Sequence, residues 1–265
     1  METHLHNANT CDFRYMILDW LHKIQRKWIK LRLQPIRVYC LHHVSDEYNP
    51  LTMWECDWTP TELFKRNILR LKSQYTFIPL AEAYEKMQQD VFRFRKYAVL
   101  TADDGYKSLL SVLPWLEEQQ IPITLFINTK YLNGKSWSEI NEEQAMRAKP
   151  DVDMLEDVCP DLYMSKEELF SQTSSLITVG MHGHEHLDGT IQTVNEFRTN
   201  VEQCRDILAE HPRYVPFFAS TWGKHNKETD GVLKEMGLVP VLVNGTKNYT
   251  YEGYIDRLAI DGKQL

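Results

Sequence analysis

Several things are scarce in this 265-residue chain, and each absence removes a class of function. There are five cysteines: Cys11, Cys40, Cys56, Cys159 and Cys204. The count is odd and no two stand at C-x-x-C spacing, so neither a disulfide framework nor a thiolate zinc site is expected. Free thiols in a reducing compartment are the simplest expectation. No apolar run approaches the roughly 20 residues of a membrane-spanning helix. The N terminus also lacks the form of a secretory signal. Asp19, His22, Lys23, Arg26 and Lys27 interrupt its apolar residues, and no small-residue cleavage site follows. A cytoplasmic protein, membrane-peripheral at most, is the expectation. Positive charge is in deficit too: the formal net charge of −7 argues against nucleic acid as the main partner. The lack of a glycine-rich phosphate loop speaks against a kinase or dinucleotide enzyme. The lack of a G-x-S-x-G elbow speaks against a serine hydrolase.

Apolar residues are plentiful. At 43% hydrophobic and 11% aromatic, the chain can bury a full core. Residues 1–11 are polar and predict no order. From 13 to 33, Ile17, Trp20, Leu21, Ile24, Trp28 and Leu31 recur at helical spacing, with Lys23, Arg26, Lys27 and Lys30 on the other side. Pro35 stops that helix. It reads either as a membrane-surface helix or as a helix packed on the wall of the main fold; the second is favoured, because basic solvated faces are common. Residues 1–34 are thus a tail and a basic amphipathic helix, and 35–265 the main domain.

Within that domain, strand and helix patterns alternate six or seven times, which indicates a parallel sheet wound by crossover helices. Strands are predicted at Ile36–Leu41, Thr76–Pro79, Tyr97–Thr101, Ile123–Asn128, Leu176–Met181, Val215–Ala219, Val239–Val243 and Tyr254–Ile260. Helices are predicted at Pro60–Leu71 (Thr59 as N-cap), Leu80–Gln89, Leu109–Gln120, Val194–Glu210 and Asp230–Met236. Residues 134–163 break the rhythm and read as an insertion over one end of the fold. Ionisable clusters fall just after strands: His42 and His43, Asp103 and Asp104, His182 to His186, and Ser220 to Asn226. In closed α/β barrels that face carries the site.

Asp103-Asp104-Gly105 ends the strand YAVLT. Two adjacent carboxylates in a partly dry site repel one another. A cation on one relieves the repulsion and leaves the other free as a base; alone, D-D-G is equally a turn. The partner is His182-Gly183-His184-Glu185-His186, three of the ten histidines within five residues. A spacing of four puts His182 and His186 on one side of a helical turn. Imidazole suits zinc, cobalt, iron and nickel, and Asp adds a charged oxygen. Such a set leaves a coordination position open for hydrolysis.

LTADDGYKSLL, IPITLFINTKYLNG, VGMHGHEHLD and FFASTWGKHN, in that order, resemble the motifs of the polysaccharide deacetylase family (NodB homology, carbohydrate esterase family four). RVYCLHHVSD resembles the opening strand of its YHxV branch. The resemblance covers residues 36–260. It implies an irregular (β/α)₇ barrel that removes acetyl groups from sugars with a divalent metal, zinc first, with cobalt, nickel or iron as alternatives. It implies Asp103 as general base and Asp104, His182 and His186 as metal ligands. FASTWG stands where related proteins carry FAYPYG, which implies an oxyanion contact from the backbone N–H of Trp222, with Ser220 and Tyr106 beside the substrate. Three departures matter. T-A-D-D-G replaces T-F-D-D-G, and Ala102 is expected to open space. The third-motif arginine is absent, and Arg257 in YIDRLAID is expected to orient Asp103 instead. No histidine follows His225, so His42 is the first substitute general acid and His225 the second, with His43 in a structural role.

Trp54, Trp58, Trp137 and Trp222 are available to stack on sugar rings or to fill the core. Asn226 is expected to brace the loop. The expected partner is an N-acetylated sugar or glycan precursor, lipid-linked or nucleotide-linked. The alternatives are a carbohydrate-binding barrel with impaired catalysis and a hydrolase of another C–N amide bond.

Overall fold

The computed structural model describes residues 8–47, 58–133 and 162–265. Trp54, Trp137, Cys56, Cys159 and nearly all of the insertion read at 134–163 lie outside them. The strands are β1 (Ile36–Leu41), β2 (His43–Val44), β3 (Trp58–Thr59), β4 (Thr76–Phe77), β5 (Tyr97–Ala102) and β6 (Ile123–Ile127) in the first half. β7 (Ile177–Met181), β8 (Tyr214–Ala219), β9 (Val239–Leu242), β10 (Ile255–Asp256) and β11 (Leu258–Ala259) follow. The helices are α1 (Ala8–Arg32), α2 (Thr61–Lys72), α3 (Leu80–Gln89), α4 (Leu113–Glu118), α5 (Lys166–Phe170), α6 (Val194–Leu208) and α7 (Lys227–Glu235).

Nine of these strands form one parallel sheet in the order β10-β9-β8-β7-β6-β5-β1-β11, with β4 beside the start of β5. β2 and β3 pair separately. β10 pairs with β9 at one edge and β11 with β1 at the other, yet only Arg257 separates β10 from β11. The stretch 255–259 therefore spans both edges and nearly closes the sheet into a seven-membered barrel, the expected α/β architecture.

Strand parity sorts the side chains. Leu41, Leu100, Ala102, Leu125, Val179 and Met181 face outward, in one cluster with Phe64 and Ile68 of α2 and Val201 and Leu208 of α6. Ile36, Val38, Val99, Phe126, Phe217, Val241 and Ile255 face inward, where Leu80, Ala83 and Met87 of α3 join them and plug the mouth at the strands' N-terminal ends. The same alternation carries Cys40, His42, Thr101, Asp103, His182 and Arg257 to the inside at the C-terminal ends. Ala102 belongs to the outer face and is fully buried, so the room it leaves lies against the helices and not in the cleft.

Local details depart from expectation. Helix α2 begins after Pro60, while Thr59 lies in β3 and its hydroxyl accepts from the Gly262 N–H at 3.0 Å. The helix expected over 109–120 is a 3₁₀ turn at Lys107–Ser111 followed by α4, whose first turn holds Pro114. Helix α1 starts at Ala8, inside the tail expected to lack order, and over Leu18–Arg32 it does not pack on the barrel wall. From Leu18 to Arg32 only Ile24, Ile29 and Arg32 are even half-buried. Cys40 and Cys204 are free and buried, as expected of thiols without partners.

Gly180 faces inward, and a Cβ there would lie 2.6 Å from the Phe126 ring. Overpacking of this kind costs about 1–3 kcal/mol. Gly180→Ala is expected to lower unfolding stability by that amount in urea titration, and an unchanged midpoint would show that Phe126 can move aside.

Candidate active site

Asp103 and Arg257 are both removed from solvent. Arg257 Nη1 donates to Asp103 Oδ1 at 2.6 Å and Nη2 to Oδ2 at 2.7 Å. Three further contacts fix the guanidinium: Nη1 to the Thr101 hydroxyl at 3.1 Å, Nε to the Leu242 carbonyl at 3.3 Å, and the Phe126 ring beneath it at 5.2 Å. Burial works to raise the Asp103 pKa, but the charge and hydrogen bonds of Arg257, together with His182 and His42, outweigh it and hold the carboxyl below its ordinary range. Burial likewise opposes the Arg257 charge, and Asp103 overcomes it. The expected orienting role of Arg257 has its geometry in this two-pronged pair.

Asp104 occupies the left-handed region (φ 68°), as does Gly105 (φ 76°). That turn sends the two adjacent side chains to different partners. Asp104 Oδ1 lies 3.2 Å from His182 Nε2 and 3.5 Å from His186 Nε2. His182 Nδ1 donates to the Ala219 carbonyl at 2.8 Å, which leaves the Nε2 lone pair facing Asp104 in the neutral ring. Burial pushes His186 down to about 4, so its ring is neutral as well. For His182 the effect of burial is overcome by the carboxylates of Asp103 and Asp104, and its pKa rises. Asp104 is drawn well below the carboxylate range, as His186 and His182 outweigh its burial.

The two imidazoles do not share a helical turn. Residues 182–188 form an irregular loop, and Gly183 (φ 88°) turns it; a Cβ there would meet Asn200 Oδ1 at 2.7 Å. His184 bonds to Thr129 at 2.9 Å, and Glu185 pairs with Lys130 at 2.7 Å, so neither joins the cluster.

The donor set fits a divalent cation. Ligand atoms of Asp104, His182 and His186 lie within 4.8 Å of one another. Asp104 Oδ1, the atom that faces both imidazoles, is buried without a hydrogen-bond partner. One proton could bridge only two of the three groups, whereas one cation satisfies all of them. Two imidazoles and a carboxylate are a zinc-type set.

His42 stands beside the base. Its Nδ1 donates to Asp261 Oδ2 at 3.0 Å and its backbone N–H to Oδ1 at 2.8 Å. Cys40, His42 and Asp103 also present ligand-type atoms within 4.8 Å of one another, but Arg257 already holds the Asp103 carboxylate. His43 bonds to Ser108 at 3.0 Å and packs edge-on against Tyr106. The Tyr106 ring, 2% exposed, stacks on Tyr163 and lines no open surface. His225 pairs with Asp230 at 3.0 Å, in neither cluster of ligand-type atoms. Asn226 caps α7 in a reciprocal box with Thr229. Trp58 donates its indole N–H to the Ser45 carbonyl at 2.8 Å, a packing role. Ser220 is buried, and Trp222 (φ 58°) sets its ring edge-on to His186 at 4.6 Å. A groove of about 840 Å³ adjoins this point, lined by His186 and Trp222 with Asp188, Asn195 and Gln203. The functional candidates missed in the sequence are Asp261, Thr101 and Phe126. Asp261 had a signal, being an acid directly after the last strand; the other two read as ordinary strand residues.

Barrel, paired aspartates and converging imidazoles together define a site of the carbohydrate deacetylase type. The chain belongs to the polysaccharide deacetylase family: that family's model matches residues 93–241, more than half of it. The match includes Asp103, Asp104, His182, His186 and Trp222 and leaves out His42, Arg257 and Asp261. Membership makes it a hydrolase that acts on acetylated carbohydrate. Its fold is similar to IcaB from Ammonifex degensii (18% identity, 87% of this chain and 94% of that one, TM-score 0.69). It is also similar to the deacetylase PplD from Streptococcus pyogenes in complex with acetate (15%, 86% and 93%, 0.66). The BpsB deacetylase domain from Bordetella bronchiseptica is a third case (18%, 84% and 95%, 0.61). At these identities the likeness is one of fold. No curated protein matches the chain by sequence.

Two predictions follow from the geometry. In calorimetry with Zn²⁺, H182A and H186A are each expected to weaken binding at least roughly 100-fold, and Zn²⁺ should raise the melting temperature of the wild type alone. Undiminished affinity in the double variant would remove the proposed ligand set. Second, burial pushes His43 down to about 4, with Asp261 opposing in part. The unfolded chain takes up this proton near pH 6.5 while the folded chain refuses it until about pH 4. Stability should therefore fall across that window as pH drops, by up to about 3 kcal/mol. Urea midpoints measured across it should decline less steeply in His43→Gln.

Proposed function

We propose that the chain hydrolyses the N-acetyl group of a sugar within a glycan, with Asp104, His182 and His186 holding a divalent metal, zinc by preference. The observation that carries this reading is the placement of the Arg257-held carboxylate of Asp103 next to that ligand set. Bound there, a divalent ion would polarise the acetyl carbonyl and acidify a water.

The residues of the chain do the rest. Arg257 keeps Asp103 ionised, so its carboxylate is always in the proton-accepting form. Asp103 takes a proton from the attacking water as oxygen adds to the carbonyl carbon. The backbone N–H of Trp222 steadies the negative charge that develops on the acetyl oxygen. Asp261 accepts from the Nδ1–H of His42 and so favours the imidazolium form, whose Nε2–H then gives its proton to the departing nitrogen. The C–N bond breaks, and acetate and a free amine leave. His42 is preferred to His225 as the acid because it stands within reach of Asp103.

The groove bears on the choice of substrate. Among its described lining residues, Lys224 is the one Lys or Arg side chain, and it is tied to Asp188 at 2.5 Å. Glu196 adds negative charge, while Glu185 is paired with Lys130. Such a surface disfavours a nucleotide diphosphate and accepts an uncharged glycan, for which Trp222 supplies an apolar face. The intact Asp103–Arg257 pair favours catalysis over a binding-only barrel, which needs no free base beside its metal.

Acetate release from an N-acetylated oligosaccharide with added Zn²⁺ is the test. Asp103→Asn should reduce it about 10²–10⁴-fold, and a UDP-N-acetyl sugar should be the poorer substrate. Equal release by wild type and Asp103→Asn would discard the mechanism.

A further inference from the structure

Helix α1 runs out from the barrel with its apolar stripe uncovered: Trp20 is 61% exposed, Trp28 60% and Leu31 70%. A second group of uncovered apolar residues stands at its foot. Val91, Phe92 and Phe94, between α3 and β5, are 62%, 59% and 78% exposed. The two are fastened together. Leu33 and Arg93 form a parallel bridge, the Gln34 N–H donates to the Arg93 carbonyl at 2.6 Å, and the Arg93 N–H donates to the Arg32 carbonyl at 3.0 Å. The Arg93 side chain is buried and donates to the carbonyls of Gln34, Lys86 and Tyr249 at 2.9–3.0 Å. Phe92 stacks on Phe94, and the Arg32 guanidinium lies 5.7 Å from its ring. The end of the helix and the aromatic loop are therefore one unit.

Charge is concentrated in the same place. Residues 18–32 hold Lys23, Arg26, Lys27, Lys30 and Arg32 against Asp19, five minus one, or +4. The whole chain carries −7, so the remainder carries −11. Arg95 and Lys96 flank the loop on its other side. An anionic surface is attracted here and repelled elsewhere. Tryptophan and phenylalanine interleaved with lysine and arginine suit the headgroup layer of a bilayer, where rings enter the interface and long cationic side chains reach phosphate.

We infer that α1 and the loop Val91–Phe94 form one docking surface for a bilayer that carries anionic headgroups. The surface lies at the N-terminal ends of β1 and β5. Asp103, Asp104 and His182 follow the C-terminal ends of β5 and β7, roughly 20 Å away along the strands. Docked this way, the protein turns its catalytic mouth away from the bilayer, toward glycan in the aqueous phase. The surface rests on exposure and charge, not on acetyl chemistry, so its test needs no substrate.

The full chain is sedimented with vesicles of phosphatidylcholine alone or mixed with phosphatidylglycerol. At least roughly tenfold more should bind the anionic vesicles, with release in high salt. The F92S/F94S variant, altered at exposed positions, should lose at least roughly tenfold of that binding while keeping its urea midpoint. K27E/K30E, which reverses two charges beside the apolar stripe of α1, should lose the preference for anionic lipid. Equal binding to both vesicle types, or full binding by either variant, overturns the inference. A concentration-dependent dimer in vesicle-free solution that F92S/F94S dissolves overturns it too, in favour of a second copy of the chain.

Discussion

A carboxylate and a guanidinium face one another inside a barrel of apolar strands, and the rest of the site is arranged around that buried pair. Removing either partner strands the other charge in a medium that solvates it poorly, at a cost of roughly 3–5 kcal/mol. The pair therefore belongs to the fold as much as to the chemistry. Its contacts come from several strands: Thr101 and Asp103 from the β5 segment, Phe126 from β6, Leu242 from β9 and Arg257 from the closing stretch. Gly180 on β7 leaves the space that the Phe126 ring fills. No single element positions the base. The closed barrel does.

Strand parity explains how one end of the interior becomes polar while the other stays dry. Positions 36 and 38, and 97 and 99, supply aliphatic and aromatic side chains beside the α3 plug. Two residues further along, the same inward-facing registers deliver Cys40 and Thr101, and then His42 and Asp103. Asp104 would point outward by this rule. Its left-handed backbone sends it instead to His182 and His186. Local backbone strain of about 1–3 kcal/mol at such a residue is tolerated where the surroundings determine it fully.

Much of this was legible in residue order. Apolar runs located the strands of the barrel wall, and the polar and ionisable clusters after four of them located the rim that bears the site. Adjacent aspartates and clustered imidazoles pointed to a shared cation. What failed did so for physical reasons. The spacing of His182 and His186 suggested a helical turn, but Gly183 allows a loop conformation that brings both rings to Asp104 without one. Thr59 looked like a cap because Pro60 and a helix follow, yet its hydroxyl is engaged by the distant Gly262. Phe126 and Thr101 carry no mark of function in a strand, since their importance depends on what lies above them after folding. The basic helix had two readings, and the exposure of Trp20, Trp28 and Leu31 speaks against the one in which it packs on the barrel.

Arg257 lies 154 positions beyond the carboxylate it holds, on the stretch that joins the two sheet edges. During synthesis, Asp103, Asp104 and both imidazoles emerge from the ribosome well before that guanidinium does. A chain that ends before Arg257 thus contains all three proposed ligands and lacks the group that orients the proposed base. On the proposed mechanism, chemical competence would arrive late in translation, together with the last barrel strand.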